Sequence, residues 1–291
     1  MKLTRFEYGS NVHLGLADPV AGTVARIVSS SATGDPTIAM MEAYLDHRAP
    51  EPDGAQFDLV DVELLPPIAS PSKNILCIGK NYAEHAAEFA RSGFDSSAKG
   101  AADVVPTAPI IFSKAPCTMI GAHAAIRPPW DITSKVDYEG ELGVVIGVSG
   151  RGISRDRAYD HVWGYTVIND VTARDLQAAH KQWLLGKSID TFCPIGPWVV
   201  SADELDPGVL DLKCWVNDEL RQDANTRDLI FDIPAIIEAI SASMTLSPGD
   251  IIATGTPAGV GIGFDPPRFL KPQDRVRIAI SGVGEIENTV I

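Results

Sequence analysis

The chain has 291 residues, of which 45% are hydrophobic and 21% charged, a composition typical of a folded globular protein with a sizeable core. Lys and Arg number 24 and Asp and Glu 38, so the formal net charge is −14. That charge argues against nucleic acid or an anionic membrane surface as a partner. The most apolar stretch, residues 142–148, is far shorter than the roughly 18 residues that predict a membrane-spanning helix.

Cysteine usage and the first residues bear on the cellular compartment. The four cysteines are scattered without a CxxC pair, and a chain with this much core does not need a disulfide framework. The opening MKLTRFEYGS lacks the apolar stretch of a secretory signal. We therefore expect a cytoplasmic protein, or one from an organelle whose targeting segment has been removed.

Prolines divide the predicted elements into two groups. Before them we predict short strands and one short helix: strands 2–8, 12–16 and 23–29, and helix 38–45. Pro66, Pro67 and Pro71 then interrupt the pattern, because proline disrupts both helices and central strands. The sequence thus predicts a small N-terminal β domain, residues 1–70, and a larger domain, residues 71–291.

The larger domain opens with a buried strand at 74–79 and a helix at 82–91 that is rich in Ala, Glu and Arg. Residues 92–108 are rich in Gly, Ser and Ala, which favours a mobile loop, so we expect residues 82–108 to form a lid. Strands then dominate, at 110–113, 136–148, 162–168, 198–201, 211–216, 251–254 and 275–280. The pattern predicts a β-rich α+β fold of short, mostly antiparallel strands.

A second helix is predicted over residues 233–244. Its apolar residues recur at spacings of three and four and form one stripe: Ile233, Ile236, Ile237, Ile240 and Met244. Asp232 can cap the helix, and Pro234 lies in the first turn, where a missing N–H group costs nothing. We interpret this helix as a support that faces the core.

Acidic residues mark the ends of two apolar strands. Asp137, Glu139 and Glu141 alternate along the strand predicted at 136–148, so their carboxylates should share one face. Asp170 ends the next apolar strand. Like charges in a partly dry site repel strongly, so Glu139, Glu141 and Asp170 are candidates for an all-oxygen site that suits Mg²⁺, Mn²⁺ or Ca²⁺. The alternative is a solvated polar strand face.

Other polar residues occur at helical spacings. His85 and Glu88 are three residues apart, which places them on one helix face, and a carboxylate beside an imidazole makes a general base for water. Arg174 and Gln177 share this spacing and offer a guanidinium fork and an amide donor. Lys187 precedes an apolar region and could act as an electrophile. The alternatives are a surface His–Glu pair and a surface lysine that lies over an apolar patch.

A glycine-rich segment spans residues 248–261. It follows a buried strand, and its glycines allow a ligand to approach the backbone, whose free N–H groups could bind an anion. No phosphate-loop or dinucleotide fingerprint is present in this segment. An ordinary glycine-rich turn is the alternative.

Taken in this order, these segments resemble the fumarylacetoacetate hydrolase family. The similar stretches are IGKNYAEHAAE (78–88), VDYEGELGVVIG (136–147), GYTVINDVTARDLQ (164–177), WLLGKSIDTFCPIGPW (183–198), SPGDIIATGTPAGVG (247–261) and GFDPPRFLKPQD (263–274). The resemblance covers about residues 71–291. Residues 182–197 resemble the shorter-chain branch, which includes acylpyruvate hydrolases, oxaloacetate decarboxylases or tautomerases, and isomerases of dioates from aromatic degradation.

The resemblance implies a role for each candidate residue. The metal ligands would be Glu139, Glu141 and Asp170, and the water-activating pair on the lid helix would be His85 and Glu88. Lys187 would be the active-site lysine, with substrate contacts from Arg174, Gln177, Gly255 and Thr256. The family fold implies a β-roll catalytic domain and a homodimer.

The resemblance also implies an enzyme with Mg²⁺ or Mn²⁺, or alternatively Ca²⁺, that acts on a 2-oxo or 2,4-dioxo acid in the catabolism of aromatic compounds. Longer members carry an extra metal-site Asp where this chain reads CIGK (77–80), which favours a smaller 2-oxo acid. We expect a hydrolase that breaks a carbon–carbon bond through an enolate, as acylpyruvate hydrolases do. An isomerase, tautomerase or decarboxylase is the first alternative, and a non-catalytic calcium-stabilised β module is the second.

Overall fold

The computed structural model describes residues 1–28, 35–94 and 104–291, and short β-strands dominate these ranges. The strands are β1 Lys2–Tyr8, β2 Asn11–Asp18, β3 Thr23–Ile27, β4 Pro52–Asp58, β5 Glu63–Leu65, β6 Ile75–Gly79, β7 Ile110–Lys114, β8 Met119–Ile120, β9 Val136–Asp137, β10 Gly140–Ile146, β11 Val162–Asn169, β12 Thr172–Ala173, β13 Cys193–Ser201, β14 Asp211–Val216, β15 Glu219–Asn225, β16 Ile251–Ala253, β17 Arg275–Ile280 and β18 Gly284–Thr289. The α-helices are α1 Pro36–Leu45, α2 Ala83–Arg91, α3 Arg174–Ala179, α4 Leu184–Lys187 and α5 Ile233–Ser241. The α+β class predicted from the sequence is confirmed.

The main sheet runs in the order β4-β3-β2-β1-β13-β11-β10-β16-β6-β7, with β5 paired to β1 and β8 paired to β13. Its neighbours are antiparallel except for the parallel pairs β16–β6 and β13–β8. A second, antiparallel sheet has the order β15-β14-β17-β18, and β12 pairs with β9. No helix in the described part of the chain is long and apolar enough to cross a membrane.

The strands of the first 58 residues extend the main sheet. Lys2 and Leu3 of β1 pair with Val200 and Val199 of β13. The buried Thr4 hydroxyl also donates to the Pro197 carbonyl at 2.7 Å. The division into domains of residues 1–70 and 71–291 stays a prediction.

The centre of the main sheet is dry. Every residue of β10, β11 and β13 is buried, as expected of strands that are apolar on both faces. Gly143 makes this packing possible, because a Cβ atom there would lie 2.7 Å from Ile168 Cδ1. The carboxylates at the ends of β10 and β11 therefore lie in a buried environment.

The strand predicted over residues 136–148 is interrupted. β9 ends at Asp137 and β10 begins at Gly140, and the two strands pair with consecutive segments of the opposing chain, β12 and β11, in the same register. Asp137 and Glu139 both contact Arg174, but Asp137 is not one of the three acids whose ligand atoms lie together, and it accepts hydrogen bonds from the backbone of another loop.

Helix α5 ends three residues before its predicted end. Met244 lies beyond it and is 37% exposed, so it does not belong to the buried stripe. The four isoleucines of the stripe are buried, as predicted. Asp232 caps the helix, since its side chain accepts from Ala235 N at 2.8 Å.

The helical part of the predicted lid is confirmed as α2. The loop that follows falls largely on residues 95–103, which lie outside the described residues, as does Ser29 at the end of a predicted strand. Mobility of residues 82–108 stays a prediction.

Replacement of Asp232 tests the capping interaction. We expect Asp232→Ala to lower the free energy of unfolding by about 1 kcal/mol, because Ala235 N loses its acceptor. Asp232→Asn keeps an acceptor oxygen and serves as the control, with a smaller loss. Urea denaturation of both variants checks this, and equal losses would contradict the assignment of the cap.

Candidate active site

Three carboxylates converge where β10 and β11 meet. Glu139, Glu141 and Asp170 are all buried, and their ligand atoms lie within 4.8 Å of one another. Asp170 N donates to Glu139 O at 2.9 Å, and Glu139 N donates to Asn169 Oδ1 at 3.1 Å, so the two strand ends are held together. The structure thus brings together the three acids that the sequence singled out.

Buried cations surround two of these acids. Lys187 Nζ donates to Glu139 Oε2 and Asp170 Oδ2, both at 2.7 Å. Arg174 Nη2 lies 2.6 Å from Glu139 Oε1. Burial by itself raises the pKa of Glu139, but the adjacent charges of Lys187 and Arg174 outweigh burial and lower this pKa to about 2. Glu139 is therefore an anion under physiological conditions.

Glu141 is in a different situation. Among the described residues, no lysine, arginine or histidine forms an ion pair with Glu141. Its carboxylate instead accepts a hydrogen bond from Gly255 N at 2.8 Å. Burial, followed by the charges of Asp170 and Glu139, raises the pKa of Glu141 well above its ordinary value. Glu141 thus has no ion-pair partner among the described residues, and the ligand atoms of the cluster are all oxygen. This donor set fits a hard divalent cation.

Lys114 is a residue of this cluster that sequence reasoning missed. Its ammonium group is fully buried and lies 2.8 Å from Asp170 Oδ1, the oxygen that does not contact Lys187. It also donates to Val171 O at 3.1 Å and to Lys187 O. Lys114 therefore links the end of β11 to α4. The available signal was a lysine that follows the apolar residues 110–112 and Ser113 at the end of β7.

Arg174 and Gln177 lie together on α3, as their spacing predicted. Arg174 Nη1 donates to Gln177 Oε1 at 3.2 Å, and Arg174 Nε donates to Asp137 Oδ2 at 2.9 Å. Helix α4 packs closely on α3 at Gly186, where a Cβ atom would lie 2.5 Å from Gln177 N. This close approach brings Lys187 to the same side as Arg174.

His85 and Glu88 lie on one face of α2, but they are not hydrogen-bonded. His85 Nδ1 is 3.7 Å from Glu88 Oε2, and both oxygens of Glu88 accept from Gly259 N at 3.0 and 3.1 Å. The His85 side chain is buried, so this histidine does not belong to a surface pair. In this arrangement Glu88 connects α2 to the glycine-rich segment through its hydrogen bonds with Gly259 N.

The glycine-rich segment binds the carboxylates of the protein itself. Gly255 N donates to Glu141, Gly259 N to Glu88, and Gly261 N to Asp137. These N–H groups are thus already used, in contrast to the expectation that they are free for an external anion. Thr256 donates to Gly140 O at 3.0 Å, so its hydroxyl also holds β10 in place.

These side chains enclose a small cavity of about 20 Å³, enough for about one water molecule. Its polar lining consists of His85, Glu139, Glu141, Arg174, Gln177, Lys187 and Thr256, and its apolar lining includes Ile78, Phe89, Phe112 and Trp183. A larger cavity of about 730 Å³ lies beside the first turn of α2, between Tyr82 and Gly259. A small organic acid needs more room than the inner cavity offers in this structure.

Several known proteins are similar to this chain. Oxaloacetate tautomerase YisK from Bacillus subtilis is 48% identical over 235 residues, which are 80% of this chain and 75% of that protein. The crystal structure of 2-hydroxyhepta-2,4-diene-1,7-dioate isomerase from Mycobacterium marinum is 35% identical with a TM-score of 0.77, over 100% of this chain and 98% of that one. Maleylpyruvate hydrolase from Sphingobium sp. SYK-6, in complex with manganese(II) ion and pyruvate, is 31% identical with a TM-score of 0.76, over 100% and 99% of the two chains.

Two family models match the chain. Residues 1–67 match the Rv2993c-like N-terminal model. Residues 74–291 match the C-terminal model of fumarylacetoacetate (FAA) hydrolase, which is about three quarters of the chain. Together with the acids, lysine and histidine that converge at the end of β10, this match shows that the chain belongs to the fumarylacetoacetate hydrolase family.

Proposed function

We propose that this protein is a divalent-metal-dependent enzyme that interconverts the keto and enol forms of a small 2-oxo acid such as oxaloacetate. The observation that carries the proposal is the buried cluster of Glu139, Glu141 and Asp170, in which Glu141 lacks a cationic partner while Lys187 and Arg174 face the same cavity. The 48% identity to an oxaloacetate tautomerase supports this choice of reaction.

Glu139, Glu141 and Asp170 would hold the cation, Mg²⁺ or Mn²⁺. Bound there, the cation would supply Lewis-acid stabilisation of negative charge on the substrate oxygens. The manganese and pyruvate in the maleylpyruvate hydrolase structure support both the metal and the class of ligand. A cation held by these residues would favour 2-oxo acids over simple carboxylic acids, because a 2-oxo acid offers a keto oxygen next to its carboxylate.

The other polar side chains of the cavity would bind the substrate and transfer the proton. Arg174 and Gln177 are positioned to bind the substrate carboxylate, since a guanidinium fork matches its two oxygens. Lys187 would donate to the oxygen on which charge develops, a contact that strengthens as the enol form appears. His85 lines the same cavity and can move a proton at the carbon next to the keto group.

Hydrolysis of a carbon–carbon bond is the second candidate, favoured by one specific observation. The cavity has room for about one water molecule and is lined by His85, beside which Glu88 lies on the same helix. In that reaction His85 would take a proton from water, as the sequence analysis proposed for an acylpyruvate-type hydrolase.

For both reactions we also propose residues 71–291 as the catalytic domain and a homodimer as the assembled state.

Metal binding gives the first test of the proposal. We expect the protein to bind Mn²⁺ and to release protons as it does so, because the raised pKa of Glu141 favours its protonated form whereas a metal ligand must be ionised. Affinity should therefore fall as the pH is lowered, and Glu141→Gln should weaken binding by at least about 10-fold. Calorimetry in buffers of different ionisation enthalpy measures both effects.

Glu238→Gln, at an exposed position on α5, is the matched control and should bind Mn²⁺ as the wild type does. If Glu141→Gln also retains wild-type affinity, the proposed metal site is wrong.

Replacement of Lys187 and His85 separates the two reactions. For a tautomerase, Lys187→Ala should be the more damaging change and lower kcat by about 10²–10³, because one donor to the developing negative charge is lost. For a hydrolase, His85→Ala should cost about 10²–10⁴ through loss of the base. The measurement is kcat on oxaloacetate and on an acylpyruvate, with bound metal quantified.

His123→Ala replaces an exposed histidine outside the cavity and serves as the control. Rates close to the wild type in both His85→Ala and Lys187→Ala would show that these residues are wrongly assigned.

A further inference from the structure

Asp137 is a buried acid beside the proposed site that is not a member of the metal cluster. We infer that Asp137 is a positioning residue, which orients Arg174 so that its guanidinium fork meets the carboxylate of the substrate. The inference rests on the proposed function, and it adds a residue that the resemblance to the family did not assign.

The Asp137 carboxylate is held by four donors. Oδ1 accepts from Gly261 N at 2.6 Å and from Tyr138 N at 2.9 Å. Oδ2 accepts from Arg174 Nε at 2.9 Å and from Ile262 N at 3.2 Å. A carboxylate with four donors on two oxygens has a fixed orientation, so it can fix the orientation of the arginine in turn.

Each nitrogen of Arg174 has a different neighbour. Nε contacts Asp137, Nη1 donates to Gln177, and Nη2 lies 2.6 Å from Glu139. Because a guanidinium is planar, a contact at Nε determines where the other two nitrogens point. The ring of Phe89 also lies 5.9 Å from the centre of the guanidinium, on the side of α2.

The lining of the cavity separates the two roles. Arg174 and Gln177 line the inner cavity, whereas Asp137 does not. A substrate in this cavity would therefore contact Arg174, and Asp137 would act on the substrate only through Arg174.

The same carboxylate also fixes the glycine-rich segment. Its contacts with Gly261 N and Ile262 N hold the part of the chain that follows Gly259, the residue that binds Glu88 of α2. A purely structural role for Asp137 would involve this segment alone. The experiment must therefore distinguish loss of the Arg174 contact from loss of stability.

Asp137→Asn is the first variant, because its amide nitrogen donates and cannot accept, so either the donors at Oδ2, Arg174 and Ile262 N, or those at Oδ1, Gly261 N and Tyr138 N, lose their acceptor. With Mn²⁺-loaded protein, we expect the Kd of oxalate and the KM of oxaloacetate to rise by roughly 10-fold or more. The Kd of Mn²⁺ itself and kcat should stay within about threefold of the wild type. An unchanged oxalate Kd would overturn the inference.

Arg174→Lys tests the same contact from the other side. Lysine keeps the charge but has no fork for Asp137 to orient, so oxalate binding should weaken, and the double variant should bind no worse than the weaker single variant. Multiplied effects in the double variant would mean that Asp137 does not act through Arg174. If Asp137→Asn does not fold, wild-type oxalate affinity in Arg174→Lys overturns the inference by itself.

Asp250→Asn is the matched control. Asp250 is equally buried and also contacts a lysine and a backbone N–H, with Lys73 Nζ at 2.7 Å and Ser247 N at 2.8 Å, at the opposite end of β10. We expect Asp250→Asn to lower Tm without changing the Kd of oxalate. If Asp250→Asn instead raises the oxalate Kd as much as Asp137→Asn does, loss of stability explains both rises and the inference is overturned.

Failure of the proposed function gives a different result. In that case wild-type protein binds neither Mn²⁺ nor oxalate, and both proposals are overturned together. Wild-type binding of both ligands with no effect of Asp137→Asn overturns the positioning role alone.

Discussion

Burial of four carboxylates at one end of a dry sheet is the constraint on which the rest of the structure depends. Ionised acids in a poorly solvated interior are costly unless each has a cation or hydrogen-bond donors. The fold supplies Lys114, Lys187 and Arg174, all buried, and the backbone N–H groups of the glycine-rich segment. Three cations face four acids, so a divalent ion would supply the additional positive charge that ionisation of the fourth acid, Glu141, requires.

The fold brings these charged side chains together. The apolar strands β10 and β11 bring the acids together, and Gly143 and Gly186 allow the close packing that excludes water and admits α4. Helix α2 closes over the opposite side through Glu88 and Gly259 N. The inner cavity is smaller than a small organic acid, and the lid movement predicted for α2 would provide the room that such a ligand needs.

One site of this kind permits several reactions. A cation, a lysine and an arginine that stabilise an enolate serve tautomerisation, decarboxylation and cleavage alike, because all three develop negative charge on the same oxygen. The proteins similar to this chain include a tautomerase, an isomerase and a hydrolase. In the proposal made here, hydrolysis would require His85 to face a water molecule in the cavity, with Glu88, 3.7 Å from its Nδ1, beside it.

The sequence by itself determined the β-rich α+β class, most strand positions, the cap of α5 and the candidate acids, because alternation, helical spacing and capping are local patterns. It did not reveal that Asp137 binds Arg174 and the backbone of the glycine-rich segment, since those contacts join parts of the chain that lie far apart in sequence. It missed Lys114, whose role depends on contacts 56 and 73 residues away in the chain. Tertiary structure alone decided which cation meets which acid, because long-range pairing between buried charges leaves no periodic trace in the sequence.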